Sequence, residues 1–195
     1  MVAVSVVMSV YNRERFVAEA IESVLNQTFE DFEFLIWDDG STDGSLAIAR
    51  EYEKQDKRVR VVAAEHAGLS PALQKAIAMT TGEFLGWVDS DDRLGERALE
   101  RTVAVLREKA DVGMVYTDYV VMDEAGRVRG KGKRCQVPYS AEKLLLNFIT
   151  FHFRLLRRDV YEKVGGVRAE FVYAQDYDLC LRLSEETEVV HLEEE

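Results

Sequence analysis

The stretch Phe84-Leu85-Gly86-Trp87-Val88-Asp89-Ser90-Asp91-Asp92 runs from an apolar segment straight into three carboxylates. Near-continuous apolar character over 84–88 is what a parallel strand covered on both faces requires. The acids therefore stand where that strand ends. Carboxylates crowded at the rim of a core repel one another and lose hydration, so they need a cation, a proton or a basic partner. Arg93 is the only base close by in the sequence. A hard divalent metal with oxygen ligands is the natural counter-charge, with Asp89 and Asp91 as the leading ligands. Asp92 is a third ligand, a helix cap or a bridge to Arg93. The plainer alternative is a solvated turn capping a helix that begins near Glu96, and a lone Asp-x-Asp does not choose between the two.

Working towards the N-terminus, 2–8 is a Val-rich first strand that ends at Ser9-Val10-Tyr11-Asn12. Val17, Ile21 and Leu25 repeat every four positions, with Phe16, Ala20 and Val24 beside them, which predicts an amphipathic helix. A second strand over 32–37 stops at Asp38-Asp39-Gly40-Ser41, the second acidic doublet, and a helix over 45–54 follows. A short strand over 59–63 leads to the loop His66-Ala67-Gly68-Leu69. Ser70 as N-cap and Pro71 at the first helical position then open a helix through Met79. Four strand-then-helix units in a row predict an α/β fold with a mostly parallel, right-handed central sheet flanked by helices. Ligands of such sheets bind beyond the carboxyl ends of the strands. The Asn12, Asp39 and Asp89–Asp91 turns all lie there, on one edge.

Beyond a helix over 96–108, the run 112–122 reads as one long strand. Asp123-Glu124-Ala125-Gly126 is a hairpin turn into Val128, which adds a small antiparallel region. Gly130–Lys133 is a basic surface loop that opens no helix, so it is a mobile segment and not a phosphate cradle. Helix over 140–147, strand over 151–156, helix over 158–164 and the stop Gly165-Gly166 follow. Asp176 then stands at the start of a helix carrying Leu179, Leu181 and Leu183, where an N-cap is the bland role for an acid. His152 and His191 are weak candidates for metal or diphosphate contacts, since the usual role of a lone histidine is structural.

The chain has 195 residues and is 47% apolar, enough for one domain with a sizeable core. With 36 acidic against 25 basic residues its net charge is -11, which argues against nucleic acid or an anionic membrane as main partner. Cys135 and Cys180 match no zinc or redox spacing and are expected as reduced thiols of a cytoplasmic protein. No stretch has the length of a transmembrane helix. The acidic end after the strand-like residues 188–191 suggests a longer parent chain.

Taken together these residues resemble the inverting, GT-A type nucleotide-diphospho-sugar glycosyltransferases of family 2, over nearly the whole chain. Val-Ser-Val-Val-Met-Ser-Val-Tyr-Asn is similar to the family's first strand and turn, Asp38–Asp43 to its nucleotide-binding loop, and Asp89-Ser90-Asp91 to its metal-binding Asp-x-Asp. Gln175-Asp176 stands in the place of its Glu-Asp catalytic motif, after Gly165-Gly166-Val167. The resemblance implies Mn²⁺ or Mg²⁺ on Asp89 and Asp91, and Asp176 as catalytic base. It implies a nucleotide site of Ser9, Tyr11, Asn12, Asp38, Asp39, Gly68, Asp89 and Ser90, with Asp39 on the base and Tyr11 stacked against it. A hydrogen bond from uracil N3–H to Asp39 favours a UDP-sugar donor. The acceptor is expected to be a saccharide or a lipid-linked species, which allows peripheral work at a membrane.

Two departures stand out. His66 and Leu73-Gln74 replace residues that are frequent in relatives, and Gln175 removes a charge beside Asp176. The resemblance divides the chain into a nucleotide-binding half, 1–92, and an acceptor and catalytic-base half, 93–195. A nucleotidyltransferase is the enzymatic alternative, against which stands the lack of a basic, glycine-rich loop near the N-terminus. A non-catalytic nucleotide-sugar binding module is the other.

Overall fold

A computed structural model describes residues 2–193, so Glu194 and Glu195 of the acidic end lie outside the described residues. Strands β1 (Val4–Val10), β2 (Phe32–Asp38), β3 (Val59–Ala63) and β4 (Phe84–Trp87) pair in parallel, with β1 at the centre of this group. Between them run helices α1 (Val17–Leu25), α2 (Ser45–Gln55) and α3 (Leu69–Ala78), as the alternating pattern requires. After β4 come α4 (Ala98–Glu108) and β5 (Val112–Thr117). The ribbon β6 (Val120–Met122) and β7 (Val128–Lys131) is a separate two-stranded sheet. A 3₁₀ turn, Lys133–Gln136, leads to α5 (Ala141–Leu146), β8 (His152–Arg157), α6 (Arg158–Lys163), α7 (Gln175–Glu186) and β9 (Glu188–Leu192).

The central sheet has seven strands in the order β3-β2-β1-β4-β8-β5-β9. Only β8 runs antiparallel, against both β4 and β5. Its first residue, His152, is thereby delivered to the same edge at which β1, β2, β4 and β5 end. Both faces are covered. On one, Val17, Ile21 and Val24 of α1 and Leu99, Val103 and Leu106 of α4 bury against Val6, Met8, Phe34 and Phe84. On the other, Leu73 and Ile77 of α3 and Leu179 and Leu183 of α7 bury against Val7, Leu35, Leu85 and Leu156. Alternate residues of β1, Val6 and Val7, thus serve opposite cores, which is why these strands read as unbroken apolar runs. Full burial of each such side chain stabilises the fold by about 1.5–3 kcal/mol.

Three local expectations are corrected. The run 112–122 is not one strand, because it leaves the central sheet after Thr117. There Asp118 is buried and accepts from His191 Nε2 at 2.8 Å, and Lys131 pairs with its other oxygen. This polar anchor ends β5, and β6 begins two residues later in the ribbon. Gly130 and Lys131 belong to β7, paired with Val121 and Val120, and are not part of a mobile loop. Ser70 does not cap α3. Gly68 occupies the N-cap with φ +92°, a left-handed conformation that suits glycine, and buried Ser70 donates its hydroxyl to the Phe171 carbonyl at 2.7 Å. The turn at Asp123–Gly126 forms as read, closed by Gly126 N–H on the Asp123 carbonyl at 2.8 Å.

Candidate active site

The turn after β1 and the turn after β2 are tied together. Asn12 holds φ +53°, and its Oδ1 accepts from Thr42 N–H at 2.8 Å, while its own N–H donates to Ser41 Oγ at 3.1 Å. Asp38, 1% exposed, accepts from Ser41 N–H through Oδ2 and keeps a buried Oδ1 without a partner among the described residues. Ser9 lies half-buried near the end of β1, opposite Trp37.

Asp39 is 2% exposed and gathers the next loop around its carboxylate. Oδ1 accepts from Ala67 N–H at 3.0 Å, and Oδ2 accepts from Gly68 N–H at 2.9 Å and faces His66 Nδ1 at 2.8 Å. The His66 ring in turn stacks on Tyr11 at 4.0 Å between centroids. Asp39 therefore fixes the entry to α3, and Tyr11 is paired with a side chain that the sequence reading marked only as a departure from its relatives.

The acidic turn after β4 gathers different partners from those adjacent in sequence. Asp91 pairs with Arg13, whose Nε lies 3.2 Å from Oδ2 and whose Nη1 donates to the carbonyls of Tyr11 and Asn12. Arg13 thus joins the β1 turn to the Asp-x-Asp. Arg93 is turned away to Glu19 at 3.0 Å. Buried Ser90 separates the two acids.

Donor atoms of Asp89, Asp92 and His152 all lie within 4.8 Å of one another, on the floor of a cleft of about 940 Å³ between α1, the acidic turn and the β6–β7 ribbon. Lost hydration pushes the Asp89 carboxyl up. Arg154 opposes that rise, while Asp91 and Asp176 add to it. Asp92 is pushed up to about 6 by lost hydration and by the charges of Asp89 and Asp91. Burial and the nearby cations Arg154 and Arg134 hold His152 down at about 4, so its imidazole is neutral and able to ligate at pH 7. Two carboxylates raised first by lost hydration and then by neighbouring acids, beside a neutral imidazole, fit a divalent metal that takes oxygen and nitrogen ligands.

Asp176 is the second residue of α7 and does not cap it; Ala174 holds that place. Its Oδ1 accepts from Tyr177 N–H at 2.9 Å, and its Oδ2 lies 3.6 Å from Arg154 Nη2. Four carboxylates, Asp89, Asp91, Asp92 and Asp176, here face two guanidinium groups, Arg13 and Arg154.

A sequence model of glycosyl transferase family 2 matches residues 5–165. The chain belongs to that family. It is 34% identical over 182 residues to the chondroitin synthase of Escherichia coli, covering 93% of this chain and 26% of that protein. It is also 33% identical to the putative glycosyltransferase EpsE of Bacillus subtilis, covering 94% of this chain and 67% of the relative. The chain therefore spans about a quarter of the synthase's length. Among solved structures, TarS 1–349 of S. aureus superposes with a TM-score of 0.78 at 24% identity, over 99% of this chain and 58% of that one. The mannosyltransferase PcManGT of Pyrobaculum calidifontis, in complex with GDP-Man and Mn²⁺, gives 0.77 at 20% identity over 99% and 55%. The fold is that of the GT-A glycosyltransferases.

Among the residues expected for the site, Tyr11, Asn12, Asp38, Asp39 and Gly68 form one hydrogen-bonded edge, and Arg13 links it to Asp91. Arg13 and Arg154 carry no site signal in the sequence, and His66 stands out there only as a departure from relatives. In the sequence His152 is only a weak candidate for a metal contact, because a lone histidine is usually structural, and Arg154 carries no signal in its own strand.

Proposed function

We propose that this glycosyltransferase domain moves a sugar from a nucleoside diphosphate donor, a UDP-sugar first, to a saccharide hydroxyl with inversion at the anomeric carbon. What supports the reading is a metal-fitting donor set at one sheet edge and the Asp176 carboxylate 3.6 Å from Arg154, whose charge also acts on Asp89. The nucleoside is assigned to the turn formed by Ser9, Tyr11, Asn12, Asp38, Asp39 and Gly68, with Asp89 and Ser90 beside its phosphates. Complexes of TarS with UDP and with UDP-GlcNAc support a donor of this class. Chondroitin and hyaluronan synthases among the relatives support a polysaccharide acceptor.

Asp176 receives the proton of the acceptor hydroxyl as that oxygen attacks the anomeric carbon from the face opposite the diphosphate. The bond from that carbon to the diphosphate oxygen breaks, and its electron pair leaves with the nucleotide. General-base assistance of this kind is worth about 10²–10⁴-fold in rate. Asp89 with Asp92 and His152 would hold a divalent cation, Mn²⁺ or Mg²⁺, which when bound would supply Lewis-acid stabilisation of the departing diphosphate. Asp89 with Asp91 are the ligands that the family resemblance favours, and in this chain Arg13 Nε lies 3.2 Å from Asp91 Oδ2. Among the described residues no helix is long and apolar enough to cross a membrane.

The test is calorimetric titration of UDP, GDP and CDP with and without Mn²⁺. Metal-dependent binding of UDP is the expected result. Absence of binding by all three nucleotides in both conditions overturns the reading.

A further inference from the structure

Arg154 lies in the interior strand β8 and is 8% exposed. Its Nη1 donates to the carbonyls of Thr150 at 2.8 Å and Phe151 at 2.7 Å, which hold the guanidinium plane. The aromatic rings of Trp87 and Phe148 each lie 5.4 Å from its central carbon. Its Nε is a buried donor without a partner among the described residues. Packing does not require a cation here, since an apolar side chain of similar volume would fill a niche lined by Trp87 and Phe148 without any desolvation cost. The charge has a target instead. Nη2 faces Asp176 Oδ2 at 3.6 Å, and the same guanidinium is the leading favourable charge on Asp89. Without it the two carboxylates lose the guanidinium they share, and among the described residues Asp176 keeps the Tyr177 amide at 2.9 Å as its fixed contact.

We propose that Arg154 is a positioning residue for Asp176, locking the orientation of the base carboxylate through a guanidinium that β8 holds rigid. The inference rests on the assignment of Asp176 as base. It also gives β8 a double duty: His152 serves the metal set, and two residues on, Arg154 serves the base. Acid stabilisation and base are then held in register by one interior strand. A base displaced by about 1 Å loses on the order of 10²-fold in rate.

The test is a double-mutant cycle on UDP release from UDP-N-acetylglucosamine and GDP release from GDP-mannose, with Mn²⁺ present and water as acceptor. In that reaction water replaces the saccharide hydroxyl, its oxygen joins the anomeric carbon and its proton passes to Asp176. Arg154→Met is expected to lower the release rate about 10²-fold while the affinity for UDP with Mn²⁺ changes less than about threefold. Arg154→Lys, which keeps the charge and loses the planar fork, is expected to fall between the two. In an Asp176→Asn background, adding Arg154→Met is expected to change the residual rate by less than about threefold. Equal losses in both backgrounds, or a loss of nucleotide affinity that matches the loss of rate, overturn the positioning role. Should Arg154→Met not fold, the Lys variant carries the same cycle. A wild-type chain that releases nucleotide from neither donor overturns the transferase reading itself, whereas an active wild type with an additive cycle overturns only the role of Arg154.

Discussion

Replacing Asp39 with Ala separates two jobs that one carboxylate can do. If Asp39 chiefly holds the loop, the variant loses the acceptor for the Ala67 and Gly68 amides and for the His66 ring. A hydrogen bond to a charged group contributes about 1.5–3 kcal/mol to stability. Ala67 and the His66 ring are exposed and recover water once the carboxylate is gone, so the loss falls mainly on the Gly68 amide, about 1.5–3 kcal/mol. The positive-φ N-cap at Gly68 loosens with it, so the entry to α3 loses its fixed shape and nucleotide affinity falls. Asp39→Asn fares no better, because one of its two side-chain atoms becomes a donor facing a backbone N–H. Urea denaturation reads the stability, and calorimetry with UDP, GDP and CDP reads the site. The loop-holding role predicts that both variants shift the urea midpoint and weaken all three nucleotides alike. A variant with an unchanged midpoint that loses UDP alone refutes that reasoning and leaves Asp39 purely as a reader of the base.

The metal set makes a contrast between neighbours: Mn²⁺ should raise the melting temperature of the wild type and of Asp91→Asn, and raise it far less in Asp92→Asn and His152→Ala. Loss of the Mn²⁺ effect in Asp91→Asn alone would give Asp91, and not Asp92 and His152, the ligand role beside Asp89. Asp176→Asn should lower sugar transfer by about 10²–10⁴-fold while donor affinity, read by calorimetry, stays within a few-fold. Burial pushes Glu33 up, but the Thr81 amide, the Ser5 and Thr81 hydroxyls and the Arg60 charge outweigh it and bring its carboxyl below its usual 4.5. A depressed carboxyl contributes stability that is complete above its unfolded pKa and lost as pH falls through the folded one. Urea midpoints from pH 7 to pH 3 should therefore fall less steeply for Glu33→Gln than for the wild type, and parallel curves would remove Glu33 from the acid limb.

What was legible in the sequence is what is local along the chain. A buried parallel strand announces itself by its own apolar run, and the turn that follows it carries the polar residues of the active edge. Hence β1 to β4 and the Asn12, Asp39 and Asp89 turns were readable together. The direction of a strand is not written in its own residues, so nothing in 151–156 foretold that β8 would insert antiparallel between β4 and β5. The run 112–122 likewise shows no break, because the signal that ends β5 is a buried Asp118 whose partners, Lys131 and His191, come from β7 and β9.

Neutralising charge is a property of space in the same way. Three acids after β4 correctly implied a need for positive charge, yet Arg93, next to them in the sequence, turns to Glu19. The groups that answer the need arrive from the end of β1 and from β8, with Arg13 meeting Asp91 across 78 positions of chain. The antiparallel strand is what makes this possible: had β8 run the other way, His152 and Arg154 would face the opposite edge of the sheet, and the acidic turn would keep Arg13 alone against four carboxylates. One reversed strand thus brings an imidazole and a guanidinium to the edge where the acidic turn lies and where Asp176 of α7 meets Arg154.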